Sequence, residues 1–262
     1  MQIGAQLYTC NALTKTLEGF EQTLGDVAAI GYRAVQVSGT CAFEPEWLRD
    51  RLDRFDLVCP VTHVPFARIA EETETVVKEH AVFGCKRIGL GALTPSMRSQ
   101  VEGYEQFKKA ILPAALKMRD MGAKFCYHNH DWDFAPLEDG KSIFERILDD
   151  FPEDSVDFIL DLGWADFAGQ DVIKLMNDLK GRISCIHLKD YADKPEDGSI
   201  TTKMYMRPIY EGKVDYDAYI KELAKLDCEY MLVEQDHCYD ESPIECLRRS
   251  YVNVTGRFPE AK

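Results

Sequence analysis

The sequence predicts an α/β protein, a single (β/α)8 TIM barrel, and three observations support this fold class. Eight short apolar segments with the character of buried parallel strands lie along the chain, and an amphipathic helical pattern follows each of them. The length of 262 residues is close to the roughly 250 residues that are usual for this fold. No GxGxxG or GxxxxGK[ST] phosphate loop follows the first segment or occurs elsewhere. This disfavours a doubly wound open sheet, the alternative arrangement of the same elements.

The predicted strands are near-continuous apolar runs, as expected for strands covered on both faces. They span residues 2–8, 33–38, 57–63, 86–91, 124–129, 156–161, 183–188 and 230–235. The helical patterns cover residues 16–30, 45–55, 68–82, 101–120, 141–150, 170–179, 215–226 and 241–254. The helix predicted at 101–120 ends just before Gly122, a residue suited to a helix C-terminus. These units account for nearly the whole chain, so one domain spanning 1–262 is sufficient.

The charge balance and the cysteines restrict the class of protein. Lys and Arg number 31 and Asp and Glu number 45, which gives a formal net charge of −14. Because nucleic acids and anionic lipids bind basic surfaces, this disfavours both as partners. The nine cysteines form no CxxC pair and are odd in number, which is untypical of a zinc knuckle or a disulfide framework. With no signal-peptide pattern and no membrane-length apolar stretch, we expect a reduced, cytoplasmic protein.

Two further segments carry expectations. Residues 189–213 show neither a helical nor a strand pattern. Loops longer than about 12–15 residues in compact domains are usually functional or disordered. We therefore expect this stretch to overhang the C-terminal mouth as a lid or substrate loop. His80 lies within a helical pattern, where we expect it on a solvated face.

Metal-competent side chains end four consecutive predicted strands. His128 follows the fifth apolar run, Asp161 the sixth, His187 the seventh and Glu234 the eighth. The carboxyl ends of neighbouring barrel strands converge at one mouth, so these four side chains can share one cation. Two imidazoles and two carboxylates suit Mn²⁺, Co²⁺, Fe²⁺ or Zn²⁺ better than Mg²⁺, which prefers oxygen. We expect a divalent metal, with Mn²⁺ as the first choice and the others as alternatives.

Other histidines are placed near the same mouth. His130 lies two residues beyond His128 and faces the same side while the strand continues, as a ligand or a substrate contact. His63 ends the third predicted strand, which favours a position in the substrate pocket. Tyr8 and Trp132 are candidates for apolar walls, with ordinary core packing as the alternative.

Several segments resemble the xylose isomerase-like barrel superfamily of sugar isomerases, sugar-phosphate epimerases and endonuclease IV-type enzymes. IGAQLYT, GYRAVQVSG, THVPF and FGCKRIGLG resemble its first four strands, and YHNHDWDF, LDLGWADFAG, CIHLKDY, EGKVDYDAY and LVEQD resemble successive blocks of its second half. Within the superfamily, the chain is similar to bacterial proteins labelled sugar phosphate isomerase/epimerase. The likeness runs nearly end to end. The last blocks are specific to the superfamily and not to a substrate.

The resemblance assigns roles to individual residues. Asp161, His187 and Glu234 fall on the metal positions of the family, and Arg207 falls near its substrate-binding arginine. Trp164 stands where many relatives carry a histidine, which suggests a stacking wall for a sugar ring.

His128 departs from the family pattern. Sugar epimerases carry a glutamate at this position, which binds the metal and acts as one of two acid/base carboxylates. A histidine keeps the metal ligand but removes one carboxylate, which disfavours a symmetrical two-glutamate epimerisation and leaves a one-base mechanism intact. Glu234 and His128 therefore occupy the catalytic positions. The family often has glutamate at the position of Gln36.

The resemblance implies a metal-dependent isomerase or epimerase of a sugar, a sugar phosphate or a keto-sugar. Glu234 would remove a proton next to the metal-polarised carbonyl and produce a metal-stabilised enediolate. Return of the proton to the other carbon isomerises the substrate, return to the opposite face epimerises it, and loss of a β-hydroxyl dehydrates it. Lys189 and Arg207 would supply positive charge to substrate oxygens or to a phosphate, or else form surface ion pairs.

Three other functions compete with this one. A metal-dependent lyase or dehydratase on a keto-sugar or a dehydroshikimate-like acid shares the first chemical step. An endonuclease IV-like DNA repair enzyme is disfavoured by the net charge of −14 and by Trp164 in place of a needed histidine. A non-catalytic sugar-binding barrel would predict an incomplete ligand set. We therefore expect a small carbohydrate as the partner, and a homo-oligomer is compatible because barrels of this family often pair.

Overall fold

Eight parallel strands form one sheet in the computed structural model, which describes residues 1–260. They are β1 (Gln2–Gln6), β2 (Ala34–Gln36), β3 (Thr62–His63), β4 (Arg87–Leu90), β5 (Lys124–His128), β6 (Val156–Asp161), β7 (Ile183–Leu188) and β10 (Tyr230–Val233). Two short strands between β7 and β10, namely β8 (Asp190–Ala192) and β9 (Tyr205–Arg207), form a separate sheet. Their spatial order is β2-β1-β10-β7-β6-β5-β4-β3. The two outer strands approach each other where Val37 bridges Thr62 and the His63 amide donates to the Val37 carbonyl at 2.9 Å. The predicted barrel is confirmed, and the open sheet is excluded.

Helices surround the strands. They are α1 (Leu17–Ile30), α2 (Pro45–Phe55), α3 (Phe66–Glu71), α4 (Thr73–Val82), α5 (Pro95–Arg98), α6 (Val101–Asp120), α7 (Ile143–Asp150), α8 (Leu162–Phe167), α9 (Val172–Asp178), α10 (Tyr216–Leu223) and α11 (Pro243–Arg257). Side-chain caps fix the first residues of several helices. At the start of α7, the Ser142 hydroxyl accepts from the Glu145 backbone amide, and the Glu145 carboxylate accepts from the Ser142 backbone amide. Helix α6 has the bounds that the apolar spacing predicts. None of the helices within residues 1–260 is both long and apolar enough to cross a membrane.

The region of the third strand differs most from the sequence-based prediction. The strand predicted at 57–63 is reduced to Thr62–His63, because Pro60 has no amide proton to donate to a ladder. Val58 still forms an isolated bridge to Ala34. The helix predicted at 68–82 is two helices, α3 and α4.

His80 is a core residue, so the expected solvated position is wrong. Its side chain is 6% exposed. Nδ1 donates to the Val76 carbonyl at 2.7 Å, and Nε2 accepts from the Thr62 hydroxyl at 2.8 Å. Burial lowers the pKa of His80 to about 4, so the ring is neutral at pH 7. His80 thus links α4 to β3.

The stretch 189–213 contains an antiparallel hairpin of β8 (Asp190–Ala192) and β9 (Tyr205–Arg207). The buried Asp190 carboxylate organises its base by accepting from the backbone amides of Tyr191, Tyr210, Gly212 and Val214 at 2.8–3.2 Å. A Cβ at position 212 would collide with that carboxylate, which requires glycine there.

The hairpin is held from two sides of the barrel mouth. On one side, Lys203 forms an ion pair with Asp131, which follows β5. On the other, the Tyr239 hydroxyl beyond β10 accepts from the Met206 amide at 3.1 Å. The stretch predicted as an overhanging loop is therefore an ordered element that contacts the segments after β5 and β10.

Candidate metal centre

The candidate ligands rest on an apolar layer inside the barrel. Each lies two residues beyond a fully buried apolar residue of that layer, which includes Cys126, Ile159, Cys185 and Leu232. Since side chains two apart on a strand face the same side, the ligands continue the barrel interior toward its carboxyl end. The thiols of Cys126 and Cys185 serve here as packing groups, and all nine cysteines are free.

The structure brings the four predicted metal ligands together. His128, Asp161, His187 and Glu234 each offer one ligand atom, and these atoms lie within 4.8 Å of one another. His187 Nδ1 lies 2.8 Å from Glu234 Oε2 and 3.1 Å from His128 Nε2. Asp161 Oδ2 lies 3.3 Å from His128 Nε2. Each of the four residues is at most 3% exposed, so water screens the cluster little.

Two acceptors outside the cluster determine which imidazole nitrogens face it. His128 Nδ1 donates to the Gly91 carbonyl at 2.9 Å, which leaves the Nε2 lone pair directed inward. His187 Nε2 donates to Gln36 Oε1 at 2.6 Å, which leaves Nδ1 free. Two lone pairs and two carboxylate oxygens at contact distance repel one another, and positive charge beside them, part of which Lys189 supplies, relieves this repulsion. This donor set of two nitrogens and two oxygens fits a divalent transition metal.

One oxygen of each carboxylate is already occupied, and the other is left for the centre. Asp161 Oδ1 accepts from the Trp164 amide at 2.8 Å and so caps α8. Glu234 Oε1 accepts from the Gln6 side-chain amide at 2.6 Å, while its Oε2 faces His187 Nδ1 at 2.8 Å and the Lys189 ammonium at 3.2 Å. The Asn129 side chain fixes the end of β6. Its Oδ1 accepts from the Asp161 backbone amide at 2.9 Å, and its Nδ2 donates to the Asp161 carbonyl at 3.1 Å. The carboxylates are therefore oriented before any cation binds.

Lys189 supplies positive charge beside the cluster. Its fully buried ammonium lies 3.3 Å from Asp161, 3.2 Å from Glu234 and 3.1 Å from Asp236. Burial raises the pKa of Asp161 and of Glu234, but the Lys189 ammonium together with the neighbouring His128 and His187 outweighs burial and holds both pKa values below their usual range. Burial likewise lowers the pKa of His187. Both carboxylates are thus ionised at pH 7.

A cavity of about 370 Å³ opens above the cluster. Three of the predicted substrate-binding residues line it, namely His63, His130 and Lys189. His63 Nε2 and His130 Nδ1 have no hydrogen-bond partner among residues 1–260. Both rings lie against the cluster, at 5.1 and 4.7 Å from the His128 ring centroid. They are therefore free to contact a substrate.

The other two predicted substrate-binding residues do not line this cavity. Trp164 is buried beside it, with the Lys189 ammonium 5.1 Å from its ring and the His130 ring at 5.6 Å. Arg207 lies in β9, where it pairs with Glu211 at 3.3 Å and Glu241 at 3.4 Å. These contacts agree with the alternative interpretation of Arg207, in which it forms surface ion pairs.

Several residues at the site lie outside the predicted set. Gln6 and Gln36, the latter noted only as a frequent glutamate position of the family, hydrogen-bond to the candidate ligands Glu234 and His187, and Ser38, Asp236 and His237 line the cavity. A signal for the first two was available, because a polar side chain within a buried apolar strand must find a hydrogen-bond partner. The partners themselves are far away in sequence.

We expect Gln36→Leu to weaken metal binding about 10–100-fold, the usual effect of losing a group that orients a ligand. Without Gln36 Oε1, the Nε2 proton of His187 loses its acceptor and the tautomer with Nδ1 free is no longer favoured. Gln36→Glu keeps an acceptor oxygen and should keep the affinity. Competition with a chromogenic chelator measures the dissociation constant.

The matched control is Gln106→Leu, which changes an exposed glutamine of α6. It should bind metal like the unchanged protein. Equal affinity of Gln36→Leu and Gln106→Leu would contradict the orienting role.

A closed barrel with a cluster of metal-competent residues at the carboxyl end of its strands defines a class, the TIM-barrel enzymes that place their active site at this end. The chain belongs to the xylose isomerase-like TIM barrel family, whose model matches residues 24–249. The resemblance found in the sequence is thereby confirmed.

Individual relatives are distant. The inosose dehydratase of Clostridium perfringens (strain 13 / Type A) is 22% identical over 251 residues, which cover 83% of this chain and 82% of that protein. A sugar phosphate isomerase/epimerase from Parabacteroides distasonis has a TM-score of 0.79 at 18% identity, covering 100% of this chain and 99% of that one.

Two further solved structures share the fold. The probable 3-DHS dehydratase AsbF from Bacillus anthracis has a TM-score of 0.74 at 15% identity, with 98% of this chain and 100% of that chain covered. The IolI protein with a bound zinc atom has a TM-score of 0.71 at 15% identity, with 100% and 99% covered. At these identities the structural likeness concerns the fold alone.

Proposed function

We propose that the chain is a divalent-metal-dependent enzyme that removes a proton next to the carbonyl of a small keto-polyol or keto-sugar and then eliminates water. The observation that carries this proposal is the buried cluster of two imidazoles and two carboxylates below an open cavity. Isomerisation by the same first step is the second candidate.

His128, Asp161, His187 and Glu234 would hold the cation, with Mn²⁺ or Zn²⁺ as the choices that suit mixed nitrogen and oxygen ligands. A cation bound there would polarise a carbonyl and so acidify the adjacent C–H bond.

Glu234 is the base in this proposal. Its carboxylate is ionised at pH 7, because Lys189, His187 and His128 together outweigh burial and hold its pKa well below the usual value. Gln6 fixes one of its oxygens at 2.6 Å, so the group is positioned without a substrate. Lys189, 3.2 Å from Glu234, is placed to stabilise negative charge that develops on a substrate oxygen.

The presence of His128 instead of a second glutamate favours a reaction with one base. Epimerisation exchanges a proton between opposite faces of a carbon and is best served by two groups. Elimination needs a single base, since the proton taken by Glu234 can be handed to the departing hydroxyl, which leaves as water. Isomerisation also needs a single base, which moves the proton between neighbouring carbons.

The relatives support elimination over isomerisation. The relative from Clostridium perfringens is named inosose dehydratase, and one solved structure of the same fold is a probable 3-DHS dehydratase. The neighbour named sugar phosphate isomerase/epimerase supports the second candidate through its fold. We therefore propose dehydration as the first candidate and isomerisation as the second, whereas the sequence alone favours isomerisation or epimerisation over dehydration.

The test is incubation of the metal-loaded protein in D₂O with a panel of inososes, 3-keto-sugars, ketoses and phosphorylated ketoses. We expect one or more to lose the mass of one water, detected by mass spectrometry, with the metal-stripped protein as the control. Solvent deuterium incorporated without loss of water would support isomerisation. Neither exchange nor water loss with any ketone would contradict both candidates.

A further inference from the structure

A second cavity adjoins the metal centre. Its volume is about 540 Å³, and it lies beyond the carboxyl ends of β2, β3 and β4, between α2, α3 and α4. We call it the side cavity. It shares five lining residues with the cavity above the metal cluster, namely Ser38, Gly39, His63, Gly91 and Ala92. The two cavities therefore adjoin at these residues, and a ligand at the centre lies next to the side cavity.

The side cavity is chemically unlike the metal centre. Apolar side chains provide much of its wall, among them Val37, Phe43, Val64, Phe66, Phe83 and Leu90. The metal centre, in contrast, is surrounded by imidazoles, carboxylates and the Lys189 ammonium. A site with these two parts suits a ligand that is polar at one end and apolar at the other.

Most polar side chains of the side cavity hydrogen-bond within the protein, whereas His63 Nε2, at the border with the metal cavity, does not. Arg68 pairs with Glu72 and Glu79 at 3.0 Å, so two carboxylates already offset its charge, which disfavours a phosphate at this position. Thr62 bonds to His80 at 2.8 Å.

The remaining hydroxyls are engaged as well. Ser38 contacts His63 Nδ1 at 3.2 Å, Thr40 donates to the Cys41 carbonyl at 3.1 Å, and Thr94 bonds to the Ser96 hydroxyl at 3.0 Å. A second sugar ring or a phosphate would find few free hydrogen-bond partners here, and burying a polar group without partners costs more than burying an apolar group.

We propose that the side cavity is a subsite for an apolar substituent, an aromatic ring or a short alkyl chain, carried by a carbohydrate whose polar part lies at the metal centre. This deepens the proposed function and rests on it for the position of the polar part. The volume of about 540 Å³ lies within the range of ligand pockets. The substrate class is then a substituted carbohydrate rather than a bare sugar.

The experiment compares phenyl β-D-glucopyranoside with methyl β-D-glucopyranoside as probes of the Zn²⁺-loaded protein, by titration calorimetry. We expect the phenyl probe to bind about 10–100-fold more tightly, as burial of a ring predicts. Ala42→Trp places a bulky ring at a residue that lines the side cavity and not the metal cavity. Phe66→Ser removes apolar surface without filling the space. Each should abolish the phenyl preference and leave methyl glucoside binding unchanged.

The control Ala224→Trp changes an exposed alanine that lines neither cavity and should keep the preference. Three results would overturn the subsite. They are equal affinity for both probes, no binding of the phenyl probe, and a phenyl preference that survives both cavity variants. An equal loss of both probes in both cavity variants would also overturn it. Incubation with the ketone panel tests the proposed function separately from the subsite. If the subsite is absent, the protein should still turn over unsubstituted ketones.

Discussion

Replacing Asp161 by asparagine together with His187 by alanine is expected to reduce Mn²⁺ and Zn²⁺ binding from stoichiometric to undetectable. The double change removes one of the two carboxylates and one of the two imidazoles of the cluster. The ligands that remain are His128 and Glu234, and the Lys189 ammonium, 3.2 Å from Glu234, repels a cation that only one carboxylate now holds. Metal content after dialysis against each ion, measured by inductively coupled plasma mass spectrometry, gives the result.

The asparagine is chosen to keep the fold. Its side-chain oxygen can still accept from the Trp164 amide and cap α8, as Asp161 Oδ1 does at 2.8 Å. Circular dichroism should therefore show a folded barrel. Asp178→Asn, which changes an exposed carboxylate paired with Lys174, is the control and should bind metal normally. An unchanged metal stoichiometry in the double variant would show that the site lies elsewhere.

Glu234→Gln is expected to lower kcat on whichever ketone of the panel is turned over by about 10²–10⁴-fold, the usual contribution of a general base. Glutamine keeps the shape and an oxygen that can face a cation, but it does not accept the substrate proton at neutral pH. Gln6 can still hydrogen-bond to it, so the orientation of the side chain should persist. Turnover and metal content are measured on the same sample.

Retained metal with lost turnover supports Glu234 as the base. The matched control is Glu229→Gln, which alters an exposed glutamate just before β10 that pairs with Arg87 at 3.5 Å. That variant should keep full activity. Full activity of Glu234→Gln with any ketone would rule out the base assignment.

Much of the fold and the ligand set could be predicted because they depend on local patterns. Apolar spacing predicts α6 with its observed bounds, and apolar runs predict β6 and β7. Parallel strands bring their carboxyl ends to one mouth, so Asp161 and His187 at two strand ends become register partners. For the same reason, the sequence predicts that His128 and Glu234 lie beside Asp161 and His187.

The rest depends on contacts between distant parts of the chain. His80 has a pattern typical of a surface helix, but packing of α4 on β3 buries it against Thr62. The stretch 189–213 shows no strand pattern, yet the Asp190 carboxylate gathers its backbone amides and a hairpin forms. The side cavity arises between three helices and three strand ends, which no single segment encodes.

The sequence by itself thus determined a barrel with four metal-competent side chains at its mouth, because strand periodicity and strand polarity are local properties. The tertiary structure decided which atoms of those side chains are available. Gln36 selects the free nitrogen of His187 from 151 residues away, and Gln6 occupies one oxygen of Glu234 from 228 residues away. The physical reason is that a tautomer or a free lone pair is set by the partner across the barrel, and that partner is known only once the barrel has closed.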